Sequence, residues 1–284
     1  MITLRPDYYD DFECIAGSCR HTCCAGWEID IDPDSMALYR ECPDIMCRIK
    51  DSSFILQGDD ERCPFLNDKG LCDLILKYGE DILCDVCTEH PRFYNYLDDV
   101  EYIGLGLCCE AALDLILDRD GDFRLLKGVV SDEGEVLGSE PYDEVPFGIG
   151  EVNSFDGDAS DLIEKLFPDK HGCKGRTDFY LTLEYLDPEW HRMLEKLDSE
   201  GVDPAARDAY IDSYSKEFCN LTSYFLYRHM GNRKIASESA RLVAETAVSS
   251  WLPLKEVCRM YAAEIEYSDV NPDVIADWLE GAGD

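Results

Sequence analysis

Twelve of the chain's 15 cysteines fall within its first 109 residues, at positions 14, 19, 23, 24, 42, 47, 63, 72, 84, 87, 108 and 109. This density constrains the chain more than any other feature, because thiols gathered in this way either pair as disulfides or bind metal. Disulfides need an oxidising compartment. Met1 to Glu13 carry Asp7, Asp10, Asp11 and Glu13 with no basic start and no apolar run, so no cleaved secretory signal is expected. The most apolar segment, Tyr102 to Leu117, is interrupted by Glu110 and Asp114, so no membrane helix is expected either. A cytoplasmic location follows as the expectation, and with it metal binding over disulfides. Cys173, Cys219 and Cys258 are scattered singly and read as small buried apolar residues.

The first cysteine group reads Cys14-x4-Cys19-x3-Cys23-Cys24-x-Gly26-Trp27. On a helix, Cys19 and Cys23 would share one face and reach one centre. The adjacent Cys23 and Cys24 point in different directions, so they serve one ion unequally. The second group runs through Cys63-Pro64-Phe65-Leu66, Gly70-Leu71-Cys72 and Cys84-x2-Cys87-x2-His90-Pro91-Arg92, and Cys108-Cys109 closes the region. Cys84 and Cys87 have chelate spacing. Structural zinc generally uses two such pairs, and an iron-sulphur cluster accepts thiolates from irregular spacings. Both metals stay open on spacing alone, and so do two centres, because there are more cysteines than one site requires.

Residues 1–118 form the cysteine-rich region. Asp32-Pro33-Asp34 predicts entry to a short helix through Tyr39, and Asp81 to Thr88 predicts another. Phe93 to Leu97 and Glu101 to Leu107 read as strands around Asp98-Asp99, followed by a helix from Cys108 to Leu117. Residues 119–164 read as an acidic connection: between Lys127 and Lys165 there are 11 Asp or Glu and no basic residue. Residues 165–284 read as helical. Asp203-Pro204 opens one long helix with Tyr210, Tyr214, Phe218, Leu221 and Phe225 as a core stripe. Further helices are expected over Lys234–Trp251, Pro253–Glu266 and Asp273–Leu279. The expected fold class is mainly α with a small β element, a cluster-binding half preceding a helical half.

The formal charge of −35 repels phosphate backbones and anionic membranes, so neither nucleic acid nor membrane is an expected partner. A field of that sign suits a lysine-bearing protein substrate, although a solvated acidic surface explains it equally well.

The run from Cys14 to Asp32 (Cys-Ile-x3-Cys-x3-Cys-Cys-x-Gly-Trp-x-Ile-x-Ile-Asp), the Cys-Pro-Phe-Leu-Asn-Asp-x-Gly-Leu-Cys of Cys63 to Cys72 and the Leu-Cys-x2-Cys-x2-His-Pro-Arg-Phe of Leu83 to Phe93 resemble the flagellin lysine-N-methylases. Tyr224-Phe225-Leu226-Tyr227-Arg228-His229 and Glu264-Ile265-Glu266-Tyr267-Ser268 are similar to that family's carboxyl half. The amino-terminal part also resembles small zinc- or iron-chelating domains with a C-x3-C-x2-C-C signature, and departs from it by lacking the two residues before the final pair.

The resemblance implies methylation of flagellin lysine ε-amines, with S-adenosylmethionine as donor and a 4Fe-4S cluster, zinc being the alternative metal. It puts Cys19, Cys23, Cys24, Cys63, Cys72 and Cys87 first as ligands, since both groups share them, and Cys14, Cys84 and Cys108 second. Two departures bear on mechanism. Gly104-x-Gly106 and Gly148-x-Gly150 lack the third glycine of a Rossmann-like donor site, and Cys19-x3-Cys23 is followed by Gly26 where a radical enzyme's third cysteine would stand. A cluster with one iron free of cysteine would instead chelate the donor's amino and carboxylate groups. Glu110 is the candidate base and Arg92 the candidate partner for the donor's carboxylate. His21 and His90 read as loop and turn residues, and Arg228 and His229 as positive groups favoured by a helix C-terminus. A non-catalytic metal-binding or electron-transfer protein is the alternative function.

Overall fold

Asp32 caps the first predicted helix as its sequence requires: its Oδ1 accepts the Ser35 amide at 2.8 Å, and Pro33 takes the first helical position. The computed structural model describes residues 2–130, 136–268 and 270–281. The chain falls into two units, Glu13–Phe93 with Cys109–Ala111, and Met1–Phe12 with Tyr94–Cys108 and Ala112–Asp284.

The cysteine-rich unit is built from short pieces: helices Pro33–Tyr39, Pro43–Met46, Asp73–Tyr78 and Asp85–Glu89, and a two-rung antiparallel ladder of Ile49–Lys50 with Ser53–Phe54. Its core holds Ile29, Ile31, Tyr39, Ile45, Phe54, Phe65, Leu74 and Ile82 around the buried Cys63 and Cys84. Asp32 does a second task there, because its Oδ2 accepts the Asp85 amide at 3.0 Å and so caps the Asp85–Glu89 helix as well. The fully buried Tyr39 donates its hydroxyl to the Ile82 carbonyl at 2.7 Å, tying the same two segments together.

The helix expected over Asp81–Thr88 is broken into a 3-10 turn at Glu80–Ile82 and the Asp85–Glu89 helix. Leu83 and Cys84 between them are extended. The break puts Cys84 at the N-cap position of the Asp85–Glu89 helix.

In the other unit a five-stranded sheet is assembled from β1 (Ile2–Pro6), β2 (Arg92–Leu97), β3 (Val100–Leu105), β4 (Leu125–Val130) and β5 (Val136–Tyr142), in the order β2-β3-β1-β4-β5. β1 pairs in parallel with β3, with Leu4 opposite Tyr102, and antiparallel with β4, with Leu4 opposite Lys127. The acidic stretch thus carries β4 and β5, and also helices Ile149–Asn153 and Ala159–Leu166. Tyr227 donates within a 3.1 Å separation of the Leu4 and Ile103 carbonyls, which fixes the end of a long helix against the sheet.

The remaining helices make the chain mainly α. The aromatic stripe expected on one helix lies on two, Pro204–Ser213 and Ser215–Arg228, because Tyr214 leaves helical geometry at φ −119°, ψ 39°. The rings still pack, Tyr210 on Tyr214 at 5.0 Å and on Phe218 at 6.2 Å. The helix Arg233–Ser250 is buried along most of its length. The helix expected over Pro253–Glu266 begins at Leu254 and widens at Ala262–Glu266 into a π-turn closed by the Tyr267 amide on the Ala262 carbonyl. Such turns recur at functional sites.

Candidate functional site

The sulphurs of the cysteine-rich unit interact in two groups. Cys24 and Cys72 both act electrostatically on Cys63, and Cys84, Cys63 and Cys24 on Cys87. Cys14 and Cys109 act together on Cys19 and on Cys23. The hydrogen bond between the adjacent Cys23 and Cys24 links the groups. These influences connect Cys14, Cys19, Cys23, Cys24, Cys63, Cys72, Cys84 and Cys87 with one another and with Cys109, which the sequence reading did not rank. Cys108, its neighbour in the chain, belongs to the other unit, where Tyr267 hydrogen-bonds to its sulphur.

Local backbone explains why these sulphurs stand together. The Cys63 amide bonds to the Cys24 carbonyl at 2.8 Å, and Ala25 bridges to Arg62. Leu66 bridges to Cys72 across the turn that Asn67 holds by accepting the amides of Lys69 and Leu71. Gly17 lies so close to this turn that an added Cβ would stand 2.5 Å from the Lys69 carbonyl oxygen, so the Cys14–Cys19 loop needs glycine there.

Backbone N–H groups two or three residues ahead act on several of the sulphurs. The Ala16 amide donates to Cys14 at 3.4 Å. Nearby main-chain amides also lower the pKa of other sulphurs: that of His21 for Cys19, those of Phe65 and Leu66 for Cys63, those of Leu74 and Ile75 for Cys72, and that of Cys87 for Cys84. Amides aimed at sulphur favour the thiolate and tune any metal it binds.

Burial works the other way. It pushes the Cys63 thiol up to about 12 and raises Cys72 and Cys19. In two pairs a thiol donates to its neighbour: Cys23 to Cys24 and Cys87 to Cys84. The acceptors are drawn down, Cys24 to about 6 and Cys84 to about 7, and the donors are driven up. A shared proton is the smallest cation that can hold two such sulphurs, and a metal ion replaces it by displacing protons.

Among the described residues no three His, Cys, Asp or Glu side chains close on one point as a single ion requires. A polynuclear cluster distributes its thiolates over several irons, so its ligands stand farther apart. Soft, partly buried sulphurs are the donor type that such a group uses.

Glu110 is a latch in this structure. Its carboxylate accepts the amides of Arg20 at 3.3 Å and His21 at 2.9 Å and contacts the His21 ring at 2.7 Å. Burial would raise its pKa, and these bonds, with the Arg20 guanidinium, hold it below the ordinary carboxylate range instead. The latch pins the loop carrying Cys19 to the turn carrying Cys109. Arg92 donates to the Thr88 carbonyl at 3.0 Å, at the end of the Asp85–Glu89 helix. His90 lies beside Trp27, and burial pushes its pKa down to about 4.

In the other unit, cavities of about 110 and 140 Å³ are lined by Glu164, Arg207 and Arg241 and by Arg119, Asn153 and Asn220 respectively. Each is smaller than the ~300 Å³ of a drug-sized ligand pocket, so neither takes a nucleoside donor. No helix is long and apolar enough to cross a membrane among the described residues.

Lysine-N-methylases of Salmonella choleraesuis (strain SC-B67) and Salmonella typhimurium (strain LT2) are each 24% identical to this chain over 132 residues, covering 42% of this chain and 33% of their own. The flagellar biosynthetic protein FliU of Salmonella muenchen is also 24% identical over 132 residues, 42% of this chain and 78% of that protein. The match spans a third of the length of the two lysine-N-methylases. No protein-family model matches the chain, and no solved structure matches it.

Proposed function

We propose, from the distant likeness to lysine-N-methylases and to a flagellar biosynthetic protein, that the chain methylates lysine ε-amines of flagellin with the aid of a thiolate-bound cluster. The observation that supports the metal-dependent part is that Cys24, Cys63, Cys72, Cys84 and Cys87 influence one another electrostatically around a shared core. Three of these five would hold a 4Fe-4S cluster with one iron left free of cysteine, and that iron would take the amino and carboxylate groups of S-adenosylmethionine. The electrophile is then the sulphonium methyl group of that donor.

The chain's own residues do the rest. A buried thiolate set excludes water from the bound metal and places negative charge near the cationic sulphonium. Glu110 is more useful as the latch between Cys19 and Cys109 than as a base, since its oxygens are already occupied by Arg20 and His21. A lysine ammonium must lose a proton before it attacks, so a base is required elsewhere.

The test is to incubate anaerobically isolated holoprotein with S-adenosylmethionine and flagellin and to weigh the flagellin intact. Methyl groups mapped to lysines are the expected result. Unchanged flagellin under both reducing and non-reducing conditions, from protein with its metal in place, would instead favour a metal-binding or electron-transfer protein without transferase activity.

A further inference from the structure

The loop 184–187 is clamped from two sides and still holds two large apolar side chains out in solvent. Glu264 is buried, and its carboxylate accepts the Leu186 amide at 2.7 Å and the Asp187 amide at 3.0 Å. Ser268 donates its hydroxyl to the Glu184 carboxylate at 2.5 Å, and the Asn271 side chain donates to the Glu184 and Glu264 main-chain carbonyls at 3.0 and 2.9 Å. Tyr185 stacks one ring face on His191, with centroids 4.2 Å apart. On this fixed loop Leu186 is 76% exposed and Tyr185 47%, and on the segment bonded to it Val270 is 49% exposed and Val274 37%. All of these residues belong to one unit.

The charge around these four side chains has one sign. No lysine or arginine lies between Arg176 and Arg192, nor anywhere after Arg259. The same stretches carry the exposed Glu184, Glu189, Asp273 and Asp277. Arg192, the cation next in sequence, is already paired with Glu189. Val270, Val274 and Asp277 follow one another at four- and three-residue steps, so apolar and acidic groups share one helix face.

Single exposed apolar residues are ordinary, but four on two segments bonded to each other form a patch that marks an interaction surface. The acidic rim selects the occupant. A second copy of the chain would bring the same sign of charge, and nucleic acid or an anionic membrane would be repelled. A lysine-bearing segment fits, because lysine stems cover apolar surface while their ammonium heads reach carboxylates. The ring face of Tyr185 turned away from His191 suits an ammonium by cation–π attraction. The clamps leave little ordering to be lost when the loop is covered.

We propose that this surface docks a lysine-bearing, partly apolar segment of the protein substrate. That the substrate is flagellin rests on the methylase reading above; docking places no reacting group at the patch.

The test titrates flagellin into wild-type, Tyr185→Ala, Leu186→Ser and Asp277→Lys holoproteins by calorimetry, with thermal melts and sedimentation of each. The substituted side chains are exposed, so the variants should melt with wild type. The Kd for flagellin should rise about tenfold in each variant. KM for methylation should rise in parallel while kcat at saturating flagellin holds. Folded variants that bind flagellin with wild-type affinity overturn the docking surface and leave the methylase reading standing. A wild-type dimer that Leu186→Ser breaks assigns the patch to a second copy and overturns it too. A wild type that binds flagellin through the patch yet methylates none of it overturns the methylase reading alone, and one that neither binds nor methylates flagellin overturns both.

Discussion

Asp32 spends both carboxylate oxygens on helix caps 53 residues apart, one for its own helix and one for the helix that carries Cys87. The first cap was legible in Asp32-Pro33-Asp34; the second was not, because its donor is the distant Asp85 amide. Asp32→Ala should destabilise the cysteine-rich unit by about 1 kcal/mol for each cap lost, measured by urea unfolding. Burial raises the Asp32 pKa, but the Ser35 and Asp85 amides outweigh it and hold the group at about 2. A depressed folded pKa stabilises the fold fully above the unfolded value of ~3.9, and the contribution is lost as pH falls towards 2. The difference between wild type and Asp32→Ala should therefore vanish near pH 2, and a difference that persists there would contradict the cap assignment. The concentration of cysteines in residues 14–109 was legible from the sequence, and metal binding by them is the reading proposed above. Their division into two groups was not, since spacing along the chain does not show which loops fold together, and Cys109 was passed over for that reason.

At the scale of elements, periodicity located the helices but not their interruptions. Tyr214, Cys84 and the π-turn each break a continuous apolar pattern without a glycine or proline to mark the place. Buried charge was equally hidden, because an arginine in a core has no signature that separates it from one on a surface. Arg176 is fully buried and pairs with Asp169, Glu238 and Glu245. Arg241 bonds to Glu164, Glu238 and the Phe167 carbonyl, and Arg207 pairs with Asp169. The network joins the Gly172–Tyr180, Pro204–Ser213 and Arg233–Ser250 helices. Arg176→Met leaves Glu238 to Arg241 alone and Glu245 to the longer contact with Arg207, and should destabilise the fold by about 3 kcal/mol. Chemical denaturation measures this, and a loss under about 1 kcal/mol would show that the network contributes little. Burial alone would raise Asp169, yet Arg176, the Gly172 amide and Arg207 hold it well below the carboxylate range. Its contribution is thus present above ~3.9 and fades as acid protonates it, which makes acid unfolding of wild type steeper than that of Asp169→Asn.

For the whole molecule, composition carried the class and the long-range pairings remained out of reach. β1 lies between β3 and β4 although Ile2 and its parallel partner Val100 are 98 positions apart in the chain. Two strands arise within the acidic stretch, whose charge pattern reads as loop, because alternate residues of a strand can face solvent. The charge of −35 should act on encounter. The methylation kcat/KM for a lysine-rich substrate should fall as salt rises from ~0.05 to ~0.5 M while kcat holds, since screening shortens the field's reach. A salt-independent kcat/KM would assign the charge to solubility alone.

The claim on which the rest depends is that the cysteines of residues 14–109 hold inorganic atoms, and iron and acid-labile sulphide analysis of anaerobically purified protein, read with its visible spectrum, tests it most directly. Iron and sulphide in equal amounts, with broad charge-transfer absorption that disappears when Cys63 and Cys72 are replaced by serine, is the predicted result. A colourless protein carrying stoichiometric zinc, or no metal with its thiols oxidised in pairs, would contradict it.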